Sequence, residues 1–243
     1  MRVILVKPQE PGNIGSAARV MKNFGLSDLV LVKPQCKLTD EAFYMATHAK
    51  DLVQNARILD TTREAVADCT LVIGTTARLR ASEAHDIYTP RDAAKRFPRE
   101  GLALMFGPET SGLSNEDLDY CQAYIKIPTT EFSSLNLAQA VNLIAYEFFT
   151  TQVDEGQSTL PPDLASREDL ELLYQRFLEV ATYIGYSNNL RAHLTEHMYR
   201  RIFDRARLTK REVDAMHGLW RQIKWAADHM PEKVPGRKMS SGG

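Results

Sequence analysis

The sequence predicts an α/β fold built on a parallel sheet, and two observations carry that prediction. Short β-branched and leucine-rich runs alternate with helical stretches through the first two-thirds of the chain. Several runs, such as Val3–Val6 and Leu29–Val32, are apolar without alternation, as strands covered on both faces are.

Taken in order, the expected strands are Val3–Val6, Leu29–Val32, Arg57–Leu59, Leu71–Thr75, Leu102–Phe106 and Tyr124–Ile127. The last stops at Pro128, which cannot donate to a sheet ladder. Between them lie expected helices at Ile14–Phe24, Glu41–Ala49, Arg63–Ala67, Pro90–Phe97, Asn115–Asp119 and Leu137–Phe149. In the last of these, Leu137, Ala140, Val141, Ile144 and Ala145 recur at helical spacing, and Ser133 or Ser134 stands where an N-cap belongs. Composition shifts at Gln152, and the Gly- and Pro-bearing stretch Val153–Ala165 reads as a linker. Beyond it come helices only: one from Ser166, one over Leu190–Ala206, and one opened by the capping box Thr209–Glu212 and stopped by Pro231. The expected division is therefore 1–152, a linker at 153–165, a helical module at 166–230 and a disordered tail at 231–243. No internal repeat stands out.

With 30 Lys and Arg against 31 Asp and Glu, bulk charge argues for no particular partner, so any basic footprint must be local. The three cysteines, Cys36, Cys69 and Cys121, form no CxxC pair and read as thiols in a reducing compartment. With no signal-peptide pattern and no apolar run long enough for a bilayer, the expected location is cytoplasmic.

Four loops carry the chemistry. Asn13-Ile14-Gly15-Ser16-Ala17-Ala18-Arg19 opens the first helix after the first strand; Asn13 is suited to capping or to binding a ligand, and Arg19 stands among Ala and Val. Thr75-Thr76-Ala77-Arg78-Leu79-Arg80 follows a strand's carboxyl end, where open sheets bind ligands, and Arg78 and Arg80 suit phosphate. Phe106-Gly107-Pro108-Glu109-Thr110-Ser111-Gly112-Leu113-Ser114 has the glycine spacing of a P-loop, but Leu113 occupies the lysine position, so triphosphate hydrolysis is excluded. The polar turn Thr129–Ser134 joins the last strand to its helix. Elsewhere, His193 and His197 match an inverted zinc-protease pattern without a third ligand nearby. From Asn189 to Arg211 seven cations, Arg200, Arg201 and Arg205 among them, face only Glu196 and Asp204, which suits an RNA-backbone patch.

Read together, NIGSAAR, FGPETSGLS and IPTTEFSSLNLA, in this order and spacing, resemble the three signature motifs of the SpoU (TrmH-like) branch of the SPOUT RNA 2′-O-methyltransferases. The resemblance covers residues 1–150 strongly and the helical extension more weakly. It implies a SPOUT fold with a parallel sheet and a trefoil knot in its C-terminal part, a homodimer, and S-adenosylmethionine bound in the knot without any metal. It also implies a cofactor wall of Thr75, Thr76, Ala77, Gly107, Ile127, Ser133, Ser134 and Leu135. The implied catalytic set is Asn13, Arg19, Glu109, Ser134 and Asn136, with Asn13 holding Arg19 and Glu109 fixing the loop or an arginine. A guanidinium, with its pKa above about 12, suits phosphate positioning and alkoxide stabilisation better than base catalysis. The helical extension implies tRNA as substrate, with cytidine or uridine at nucleotide 32, the start of the anticodon loop, as the target. Another tRNA or ribosomal site, or a non-catalytic RNA-binding relative, are the alternatives.

Overall fold

The computed structural model describes residues 1–76, 86–130, 135–151, 163–188 and 190–229. Among them, seven strands form one sheet: β1 (Arg2–Val6), β2 (Asp28–Val32), β3 (Arg57–Leu59), β4 (Leu71–Thr75), β5 (Asp86–Tyr88), β6 (Leu102–Phe106) and β7 (Ala123–Ile125). Their order is β3-β2-β1-β6-β4-β7-β5, and each pairing is parallel. Alternate residues of the central strands enter two cores. Leu5, Leu31, Ile73 and Phe106 pack on one face, and Ile4, Val30, Val72 and Met105 on the other. Burial on both sides is why these strands read as unbroken apolar runs. The strand β5 was not expected, because three edge residues give too short a pattern, and β7 ends at Ile125 rather than Ile127. Placing β7 between β4 and β5 is compatible with the threaded topology that the resemblance implies.

The first core is covered by α1 (Pro11–Asn23), α2 (Asp40–Ala46), α3 (Lys50–Gln54), α5 (Pro90–Arg96) and α7 (Leu137–Thr150), and the second by α4 (Thr62–Val66) and α6 (Asn115–Leu118). The expected Glu41–Ala49 helix is shorter, since a 3₁₀ turn at Thr47–Ala49 divides α2 from α3. Gly15 lets α1 and α2 meet closely: a β-carbon there would lie 2.0 Å from the Ala42 carbonyl oxygen.

At the amino end of β1, Arg2 binds Asp68 through two nitrogens, at 2.5 and 2.8 Å, and Asp28 at 2.8 Å. The guanidinium holds the Asp68 carboxyl down to about 2. A depressed carboxylate contributes stability that is complete above its ordinary pKa of about 3.9 and is lost as pH falls toward the folded value. Asp68 is two-thirds exposed, so water screens the pair and its worth is about 1 kcal/mol or less. Asp68→Asn is therefore expected to melt slightly below the parent at pH 7. That gap should close between about pH 4 and pH 2; a gap of constant size across this range in thermal melts would show that the contribution is not ionic.

Three further helices follow: α8 (Arg167–Tyr183), α9 (Ala192–Ala206) and α10 (Lys210–His229). They share a core of Leu170, Leu173, Tyr174, Phe203 and Val213. Ser166 caps α8 with Asp169 in a reciprocal box, as its spacing predicts. The helices join the amino edge of the sheet, where the Arg167 amide donates to the Cys69 carbonyl and the Glu168 amide to the Ala67 carbonyl. Residues 153–162 of the expected linker and the expected tail 231–243 lie outside the described residues. No described helix is long and apolar enough to cross a membrane.

Candidate active site

A cleft of about 240 Å³ opens at the carboxyl ends of β4, β6 and β7. Thr75 and Thr76 line it from β4, Gly107 to Leu113 from the loop after β6, and Ile127, Leu135 and Leu137 from the segment after β7. In an open sheet this edge is the ligand edge. The walls are held from below: the Thr75 hydroxyl donates to the Met105 carbonyl at 3.1 Å, and the Thr76 amide to the Ile125 carbonyl at 3.0 Å. Gly107 is required by close approach, since a β-carbon would lie 2.2 Å from the Leu113 amide nitrogen and 2.3 Å from the Gly112 carbonyl carbon. Burial against the floor pushes the Cys121 thiol upward, so it remains a neutral packing group beside Gly74.

At the rim, three loops meet through side chains distant in sequence. Asn136 Nδ2 donates to Asn13 Oδ1 at 2.8 Å, and Asn13 Nδ2 donates to Glu109 Oε1 at 2.9 Å. Glu109 Oε2 accepts the Gln9 amide at 3.0 Å. The carboxylate thus holds the β1–α1 loop against the loop after β6. Asn136 also caps α7, its Oδ1 accepting the Ala138 and Gln139 amides. The expectation that Ser133 or Ser134 would cap this helix is corrected: the helix starts at Leu137, so Asn136 is the residue within reach. Asn13 is likewise no cap. It lies inside α1, whose N-cap position is Glu10, and Pro11 provides the first-turn geometry.

Of the residues expected here, the structure brings together Asn13, Glu109 and Asn136, with Thr75, Thr76, Gly107, Ile127 and Leu135 on the cleft wall. Ala77, Arg78, Arg80, Ser133 and Ser134 lie outside the described residues. Arg19 is exposed on α1. Six residues after Asn13, it points about 120° away around the helix. Asn13 does not hold it, because both its amide atoms are engaged by Glu109 and Asn136. Arg200 also departs from expectation: both its terminal nitrogens bind Glu171 at 2.6 Å, and Glu196 takes it at 2.9–3.0 Å. With its side chain only 17% exposed and stacked over Tyr174, it braces α8 against α9 rather than facing RNA. Arg205 is exposed on α9 and Arg201 half-buried. Among the described residues no three His, Cys, Asp or Glu side chains group as a metal site. Gln9 is not among the expected residues: it meets Glu109 through its backbone amide, a contact that no side-chain pattern in the sequence marks.

The model of a family described as the SpoU rRNA methylases matches residues 1–146. The chain is 35% identical over 247 residues to the tRNA (cytidine/uridine-2′-O-)-methyltransferase TrmJ of Yersinia pestis, covering 97% of this chain and 95% of that one. Among solved structures, it is similar to TrmJ from Z. mobilis ZM4, with a TM-score of 0.80, 35% identity, and coverage of 92% of this chain and 98% of that one. The SpoU methyltransferase AviRb from Streptomyces viridochromogenes, solved in complex with AdoMet, aligns with a TM-score of 0.50 and 26% identity over 61% of this chain and 56% of its own.

Proposed function

The chain belongs to the SpoU methylase family, and on that premise we propose that it methylates the ribose 2′-hydroxyl of tRNA, using S-adenosylmethionine. The proposed target is cytidine or uridine at nucleotide 32, the start of the anticodon loop. Full-length similarity to TrmJ proteins, helical extension included, favours tRNA over ribosomal RNA.

The observation that carries this reading is the Asn136–Asn13–Glu109 chain at the rim of a cleft with apolar walls. Leu113, Ile125, Ile127 and Leu137 offer an adenine or an aliphatic chain a dry surface, and the glycine loop beside them exposes backbone groups for polar contacts. These features fit S-adenosylmethionine, which would be held by Thr75, Thr76, Gly107, Ile127 and Leu135 on the cleft wall, with Ala77, Ser133 and Ser134 added to that set by the family resemblance alone. Bound there, it supplies a methyl group already activated on a sulfonium. The protein's task is then to align the ribose oxygen and shield the reacting atoms from bulk water; as the carbon–oxygen bond would form, the carbon–sulfur bond would break to leave a neutral thioether, and the hydroxyl proton would be released to solvent. Glu109 and Asn13 fix the loops in register; by the family resemblance Asn136 and Ser134 would shape the nucleotide's seat, and Arg19 would position phosphate or stabilise the developing alkoxide.

Arg19 faces away from its own rim, while α7 carries an exposed apolar face of Leu143, Tyr146 and Phe149, extended by Phe24. We read this face as the seam of a homodimer in which Arg19 serves a cleft completed by both chains. Arg78, Arg80, Arg201 and Arg205 would contact RNA backbone, residues 1–152 forming the catalytic unit and 166–230 the RNA-holding module, in the cytoplasm.

The test is methylation of tRNA transcripts by the purified protein, followed by nucleoside mass spectrometry. A 2′-O-methylated cytidine or uridine at the start of the anticodon loop is the expected product; no methylated nucleoside in any transcript would overturn the reading. Asn13→Ala is expected to lower kcat about 10²-fold. Mixing Asn13→Ala with Arg19→Ala chains should restore part of the activity if the site is shared, and none if each chain works alone.

A further inference from the structure

The tetrapeptide Val-Lys-Pro-Gln, too short to stand out as an internal repeat, occurs twice, as Val6–Gln9 and Val32–Gln35, at the carboxyl ends of the neighbouring strands β1 and β2. The copies are bonded to each other. The Gln35 amide donates to the Pro8 carbonyl at 2.9 Å, and Gln9 Nε2 to Gln35 Oε1 at 3.1 Å. In each copy the lysine has a left-handed backbone, with φ of 48° at Lys7 and 44° at Lys33. That conformation is unfavourable for a residue with a β-carbon, and a following proline biases the residue toward extended geometry instead. Both amides nevertheless extend the ladder, Lys7 to the Val32 carbonyl at 2.7 Å and Lys33 to the Leu59 carbonyl at 2.9 Å. Glycine or asparagine would make this turn with less strain, so the backbone alone gives no reason for lysine at both places.

Their location supplies a reason. Strained residues gather at functional sites, and these two stand on the ligand edge of the sheet, continuous with the rim of the cleft. The same Gln9 that joins the two turns gives its amide to Glu109 and accepts the Thr110 hydroxyl at 3.1 Å. The Lys33 side chain is exposed and that of Lys7 half-buried, and neither is ion-paired among the described residues, although Glu10, Asp40 and Glu41 stand on the flanking segments. Adjacent strands lie about 4.8 Å apart, which places the two flexible cations within reach of one extended backbone.

We propose that the paired Val-Lys-Pro-Gln turns form a ledge on which Lys7 and Lys33 hold the RNA phosphates flanking the nucleotide in the cleft. This rests on the methyl-transfer reading for the identity of the RNA, but its test is binding rather than turnover. The double variant Lys7→Asn/Lys33→Asn removes both charges and keeps residues that tolerate the left-handed turn. Its melting temperature should equal or exceed the parent's, and its affinity for S-adenosylmethionine should stay within twofold. Its affinity for tRNA is expected to fall about tenfold, and the slope of log K against log salt to shrink by about 1.4, at about 0.7 per single-strand phosphate contact. An unchanged slope and affinity, or a parent that binds no tRNA, would overturn the ledge. A parent that binds tRNA without methylating it would instead overturn the proposed activity and leave the ledge to be judged by its slope.

Discussion

Gly107→Ala is expected to weaken S-adenosylmethionine binding by more than about 100-fold and to abolish methyl transfer. The added β-carbon would stand 2.2 Å from one backbone atom and 2.3 Å from another, both in the loop that forms the cleft wall. Backbone cannot rotate aside as a flexible side chain can, so the Gly112–Leu113 segment must move into or away from the cleft. A displacement of about 1 Å at a site that works by alignment costs on the order of 10²-fold. Gly218→Ala is the contrasting control. It lies in α10 with open space around its would-be β-carbon, and should raise stability by as much as about 1 kcal/mol without touching binding. Calorimetric titration of both variants decides the matter: near-parental affinity in Gly107→Ala would mean that the loop does not form the cofactor wall.

Arg167→Ala is expected to cost about 3–5 kcal/mol. This guanidinium is 1% exposed and ties α8 to α9 and to the residue that follows α6. It binds Asp204 at 2.6 Å, Glu171 at 2.8 Å and the Asp119 carbonyl at 2.9 Å, while the Tyr174 hydroxyl also donates to Asp204. The two arginines, 167 and 200, hold the Glu171 carboxyl below its usual range despite burial. Removing Arg167 leaves Asp204 buried with Tyr174 as its one remaining side-chain partner among the described residues, and that uncompensated charge is the source of the loss. For a chain of this size the loss corresponds to a fall of roughly 6–20 °C in Tm. The double variant Arg167→Ala/Asp204→Ala should recover part of it, because no orphan charge remains. A single variant melting within about 2 °C of the parent would show that water replaces the cluster at little cost.

Much of the fold could be read from the chain. Val3–Val6, Leu29–Val32 and Leu102–Phe106 are strands because unbroken apolar runs suit strands buried on both faces, and the capping boxes at Ser166 and Thr209 mark helix starts through local hydrogen bonds. On the cleft wall, Thr75 and Thr76 were legible because small and hydroxyl residues at a strand's carboxyl end mark the ligand edge, whereas Gly107, Ile127 and Leu135 were expected there only from the family resemblance. Short edge elements such as β5 were not, because three residues carry no period.

By itself the sequence determined what is local: the succession of strands and helices, the loops that bear chemistry, and a match of three ordered motifs to one family. The tertiary structure decided which side chains meet. Asn136 reaches Asn13 across 123 positions, and Arg200, alike in sequence to any RNA-facing arginine, is drawn between two carboxylates. The identical turns at Gln9 and Gln35 become one surface only because β1 and β2 lie side by side in the sheet. For the opening loop, Asn13 turned out to bind Glu109 rather than Arg19, because the helix sets the two side chains about 120° apart. Hydrogen bonds between distant residues depend on where the sheet places each strand end, and no local pattern contains that information.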